Sequence, residues 1–126
     1  QHECLNGETS AVFTAEGMQG CICMYRMQSE EVRPIHVLLH ELGHLLHIKV
    51  TGTLTEIPKS FVGHLLSLGI ECSKLTAAQL QELFADTFML AVINKHPELG
   101  VPEPNFSAKT LAHCYKYICT LFDSMR

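Results

Sequence analysis

Two short apolar runs separated by a turn signal mark the start of the chain. Residues from about Ser10 to Ala15 and from about Gly20 to Met27 form two short runs rich in Val, Phe, Ile, Tyr and Cys, with Glu16-Gly17 between them as a turn signal. This pattern predicts a β-hairpin, and so a small antiparallel sheet. The pattern then changes. Val37, Leu38, Leu39, Leu42, Leu45, Leu46 and Ile48 make a strongly apolar helix. Gln28-Ser29-Glu30-Glu31 reads as its entry, with acids in the first turn, and Pro34 is tolerated only near a helix start. The helix is therefore expected from about Glu31 to Val50, ended by Thr51-Gly52-Thr53.

Three further helices follow from local signals. Pro58 opens a short one through about Leu68, closed by Gly69. The stretch Phe61-Val62-Gly63-His64-Leu65-Leu66 within it suits a core helix better than a lid over a cleft. Thr76-Ala77-Ala78-Gln79 is a capping box for the next helix, which Pro97 stops and in which Leu83, Phe84, Thr87, Phe88 and Ala91 build the apolar side. After a loop at Val101-Pro102-Glu103-Pro104-Asn105, Ser107 caps a last helix with Leu111, Tyr115, Ile118, Phe122 and Met125 at helical spacing. The fold class expected is α+β: mainly helical, with the small N-terminal antiparallel sheet packed on the first helix.

Length and composition narrow this further. At 126 residues and 47 % hydrophobic content the chain, residues 1–126, suits one domain with one core and has no room for a second. No run approaches the ~18 apolar residues of a membrane span. The amino terminus, QHECLNGETS, lacks the basic region and apolar core of a secretory signal, and the absence of an initial Met suggests a trimmed chain or a piece of a longer one. A net charge of −4 offers phosphate no long-range attraction, so a direct nucleic-acid ligand is not expected. The six cysteines, Cys4, Cys21, Cys23, Cys72, Cys114 and Cys119, contain no C-x-x-C pair and are read as reduced thiols of a cytoplasmic protein. Cys21 and Cys23 share one face of a strand, and Cys114 sits on the apolar side of the last helix as a small hydrophobe. A disulfide framework is the competing view.

The first helix carries the chemistry. His40-Glu41-Leu42-Gly43-His44 sets two imidazoles one turn apart with a carboxylate beside them. At about 100° per residue all three share one face. Polar groups on so apolar a helix must be paired, and one metal ion satisfies two ligands while leaving Glu41 as a general base. The bland reading has the histidines facing water or backbone carbonyls. A zinc site of this kind needs a third protein ligand and an open position for water. Glu82 and Asp86 lie at i and i+4 of the Thr76-capped helix, with no basic partner at that spacing. Glu82 is placed to reach the metal, and Asp86 to accept the spare ring N–H of a ligand histidine. A solvated acidic stripe is the alternative.

HELGHLLH followed by Glu82-x-x-Ala85-Asp86-x-Phe88 resembles the ImmA/IrrE family of gluzincin-type metallopeptidases. The resemblance covers the two motif helices and, more loosely, the strand before the first. It implies a zincin-like fold, Zn2+ held by His40, His44 and Glu82, Glu41 as general base, and Asp86 supporting a ligand. It also implies proteolysis of a specific protein substrate, such as a transcriptional repressor or another regulator. A zinc-binding regulatory domain without hydrolytic activity is the other class the residues allow. An oxyanion donor is harder to read: His113 and Tyr117, one turn apart on the last helix, are candidates, though both suit a solvent-facing or core-edge role. His47 continues the motif helix and is placed to line the cleft without ligating, while His36 is expected to meet backbone or solvent at the helix entry. His64, His96 and His2 have no recognisable partners.

Overall fold

The computed structural model describes residues 3–28, 33–102 and 106–126. Residues 29–32 of the expected helix entry, residues 103–105 of the expected loop, and His2 lie outside that set. The fold is α+β, and among the described residues it has a two-stranded antiparallel sheet and four α-helices. Strands β1 (Glu3–Thr14) and β2 (Gly17–Gln28) form a hairpin in which Thr14 pairs with Gly17, so the turn is Ala15-Glu16, one residue earlier than the sequence signal placed it. The ladder continues well beyond Ser10, through Thr9↔Ile22 and Gly7↔Met24. Gly7 and Glu8 there have weak strand propensity. They are held by packing on the first helix, which propensity does not register.

Helices α1 (Pro34–Thr51), α2 (Phe61–Ser67), α3 (Ala77–Lys95) and α4 (Ala108–Ser124) follow, with 3-10 turns at Cys72–Lys74 and Pro97–Leu99. α1 starts at Pro34, and its N-cap Arg33 is extended (φ −82°, ψ 142°) because proline excludes the helical region from the residue before it. That moves the helix start three residues beyond the expected one. The start is tied down by His36, whose Nε2 lies 2.8 Å from the Gly100 carbonyl, and by Arg33 Nη1 donating to the Leu99 carbonyl at 2.8 Å. The α3 capping box forms as expected, Gln79 N donating to Thr76 Oγ1 and Thr76 N to Gln79 Oε1. Ser107 likewise accepts from Thr110 N at the start of α4.

The core joins all four helices through Leu39, Phe61, Leu65, Phe84, Leu90 and Ile118, among others. α2 is a core helix, with Phe61 and Leu65 fully buried. On α4 the buried line is Cys114, Ile118 and Leu121, while Phe122 and Met125 of the expected stripe are 41 % and 43 % exposed. Both lines satisfy helical periodicity, and the packing of α4 against α2 and α3 selects between them. The cysteine placements agree with expectation: Cys114 is buried, and the exposed thiols of Cys21 and Cys23 lie 3.8 Å apart on one strand face. No helix among the described residues is long and apolar enough to cross a membrane.

His64 departs from its expected ordinary role. It is 6 % exposed, stacks on Tyr117 with ring centroids 4.8 Å apart, and has Cys114 Sγ 3.8 Å from its Nε2. Burial, with His113 nearby, pushes its pKa down to about 4. The unfolded chain then takes up a proton near pH 6.5 that the folded chain refuses until about pH 4. Stability contributed above pH 6.5 is lost as the pH falls toward 4. At pH 4.5 the loss from this group amounts to a few kcal/mol. Urea unfolding at pH 7 and pH 4.5 is expected to show a smaller acid loss in His64→Phe than in the wild type. Equal losses in the two proteins contradict this account.

Candidate metal centre

The site forms where α1 crosses α3. Gly43 makes the crossing possible: a Cβ placed there would lie 2.6 Å from Ala85 Cα and 2.8 Å from Ala85 O, both backbone atoms that no rotamer change can move. Ala85 is itself fully buried. Two small residues thus bring the helix backbones close enough for side chains one turn to either side to meet. His40 and His44 approach from α1, and Glu82 and Asp86 from α3.

Glu82 bridges the two imidazoles. Its Oε2 lies 2.8 Å from His40 Nε2 and its Oε1 3.1 Å from His44 Nε2, while the two Nε2 atoms are 3.1 Å apart. On the other side of the His40 ring, Nδ1 lies 2.8 Å from Asp86 Oδ1. A carboxylate accepts, so the hydrogen of this bond is on His40 Nδ1, and Nε2 on the Glu82 side is the nitrogen that would ligate a bound ion. Burial works against a charge on His40, but the Asp86 hydrogen bond and the charges of Asp86, Glu82 and Glu41 outweigh it and hold the ring above its ordinary pKa. His44 is lowered, first by burial and then by the proximity of His40. Two imidazole nitrogens and a carboxylate oxygen, all within 4.8 Å of one another, are the kinds of donor a metal ion takes. His40, His44 and Glu82 are a group that can hold one.

Glu41, between the two histidines on α1, is tied to the hairpin. It is 6 % exposed, and its Oε1 accepts a 2.6 Å hydrogen bond from the Thr9 hydroxyl. Gly7 lies directly against it, so close that a Cβ there would sit 2.6 Å from Glu41 Cγ. Between hairpin and helices opens a cleft of about 550 Å³, whose walls include Gly7 and Thr9 from β1, His40, Glu41 and His44 from α1, Leu54, and Glu82.

Against known proteins the chain matches no family model, no curated protein and no solved structure.

The structure therefore brings together five of the residues singled out in the sequence: His40, Glu41, His44, Glu82 and Asp86. It does not bring His113 or Tyr117 to the cleft. The Tyr117 hydroxyl is 2.9 Å from Ser60 Oγ and its ring packs on Phe61 and His64, because α4 lies against α2 and α3. His113 lies near His64 on the same side. Neither is placed to act as an oxyanion donor. His47 does line the cleft, as expected, but it is 1 % exposed and touches a ligand residue: its Nε2 is 3.1 Å from His44 Nδ1 and its Nδ1 3.0 Å from the Glu56 carbonyl oxygen. Burial lowers its pKa to about 4. Its i+3 spacing from His44 is the signal that could have revealed that contact. Thr9 leaves no comparable mark, since its role depends on how the hairpin lies on α1.

Proposed function

We propose that this chain is a zinc-dependent peptidase of the gluzincin type with a zincin-like fold, akin to the ImmA/IrrE family that its motifs resemble. The observation that supports it best is the single Glu82 carboxylate spanning His40 Nε2 and His44 Nε2 at 2.8 and 3.1 Å, with a buried carboxylate, Glu41, one residue from a ligand and facing the same cleft. These are the parts that metal-assisted hydrolysis requires, drawn from two helices and a hairpin.

His40, His44 and Glu82 would hold the ion, and two neutral imidazoles with one carboxylate leave a dication site at net +1. Bound there, zinc supplies Lewis acidity that makes water nucleophilic near neutral pH and polarises a carbonyl. Glu41 receives the proton from the attacking water and passes it to the leaving amine. The Thr9 hydroxyl at Glu41 Oε1 holds that carboxylate in one orientation, and Gly7 leaves it no room to swing toward the hairpin. Asp86 keeps His40 in the tautomer that ligates. The substrate we infer is a peptide bond of one specific protein, a transcriptional repressor or similar regulator. The exposed free thiols of Cys21 and Cys23 suit a reducing, cytoplasmic setting.

Metal content by mass spectrometry tests the reading. Near-equimolar zinc is expected in purified wild type and a sharply reduced content in His44→Ala and Glu82→Ala. A wild type without bound metal even after zinc addition sinks it.

A further inference from the structure

We propose that His47 is a positioning residue for the metal ligand His44, committing it to the tautomer with hydrogen on Nδ1 and a lone pair on Nε2. This rests on the metal-site reading above and adds to it the means by which the second ligand is oriented. The argument starts from an atom with only one possible role. The Glu56 carbonyl oxygen can only accept, so its 3.0 Å contact places a hydrogen on His47 Nδ1. His47 is 1 % exposed, and its hydrogen-bond partners are that carbonyl and a neighbouring imidazole. An imidazole so enclosed stays neutral, because burying its charge without a carboxylate in hydrogen-bond contact is costly. With its one hydrogen on Nδ1, His47 presents a lone pair at Nε2. The 3.1 Å contact with His44 Nδ1 is therefore one in which His44 donates. With an ion bound, the hydrogen of His44 is thus used on the side away from Glu82, and Nε2, on the Glu82 side, is the ligand atom.

The far end of this chain of bonds is itself anchored. Thr51 Oγ1 donates to the His47 carbonyl at 2.8 Å, Glu56 N donates to Thr53 Oγ1 at 3.1 Å, and Gln81 Nε2 of α3 donates to the Thr55 carbonyl at 2.6 Å. The loop after α1 is thereby held to both helices, and through Glu56 and His47 it sets the ring of His44. The two ligand histidines are supported by different chemistry: His40 donates to the charged Asp86 and His44 to a neutral imidazole backed by a carbonyl. Only one of the two supports adds negative charge beside the ion, which preserves the Lewis acidity of the centre.

Two measurements test the role. Long-range 15N–1H correlation spectra of the zinc-loaded protein at pH 7.5 are expected to show His44 with hydrogen on Nδ1 and none on Nε2; the opposite tautomer overturns the proposal. Zinc affinity, read by competition with a chromophoric chelator, is expected to fall about 10- to 100-fold in His47→Leu. It is expected to stay close to wild type in His47→Gln, whose side-chain oxygen can accept from His44 Nδ1. Helix content by circular dichroism checks that both variants fold. A folded His47→Leu that binds zinc as tightly as wild type overturns the positioning role while leaving the metal site intact. A wild type that binds no zinc overturns the metal reading and this proposal with it. If His47→Leu does not fold, the tautomer spectrum of the wild type decides.

Discussion

Glu41→Gln is expected to cut peptide-bond hydrolysis by about 10²- to 10⁴-fold, the usual contribution of a positioned general base, while leaving zinc content and helix content unchanged. Glutamine has the same shape, keeps an oxygen for the Thr9 hydroxyl and keeps its Cγ against Gly7. What it loses is the ability to take a proton. None of the three metal-holding residues is altered, so a loss of activity with full metal occupancy isolates the proton transfer. A proteome-derived peptide library, incubated with zinc-loaded wild type and with the variant, provides the readout: new peptide termini appear with the first and fall to background with the second. Equal cleavage by both proteins removes Glu41 from the chemistry.

Gly43→Ala tests the helix crossing, and the sign of its effect is informative. In the middle of an unconstrained helix, replacing glycine by alanine stabilises by about 1 kcal/mol. At Gly43 the added methyl meets Ala85 Cα at 2.6 Å and Ala85 O at 2.8 Å, so α1 and α3 must move apart. Overpacking of this kind destabilises by about 1–3 kcal/mol. The same displacement carries Glu82 away from His40 and His44, and zinc affinity falls with stability. Gly63 on α2 is the control, since a Cβ there meets nothing within 4 Å, and Gly63→Ala is expected to stabilise. Urea unfolding and zinc competition read both effects. A Gly43→Ala variant more stable than wild type, with unchanged zinc affinity, contradicts the close crossing.

Much of the architecture was legible without coordinates because it is written in short-range chemistry. The hairpin follows from two short runs of strand-forming residues around a turn signal, α3 from its Thr76–Gln79 capping box, and the Ser107 cap from the preference of serine for an extended residue bonded to the helix's first amides. Where local signals misled, a non-local contact overrode them. The hairpin reaches back to Glu3 because Gly7 and Thr9 pack on Glu41 of α1, and the buried face of α4 was selected by α2 and α3 over an equally periodic alternative.

The site divides along the same line. The sequence alone determined that His40, Glu41 and His44 share a helix face and that Glu82 and Asp86 share another, because i, i+1 and i+4 relations are properties of one helix. Tertiary structure decided that these two faces meet, through the Gly43–Ala85 contact. It also decided that His47 supports His44 and that His113 and Tyr117 belong to a different part of the molecule. Helical geometry sets distances only within about one turn of a residue. Contacts between α1 and α3, some forty residues apart, depend on which surfaces bury each other, and no local pattern encodes that choice.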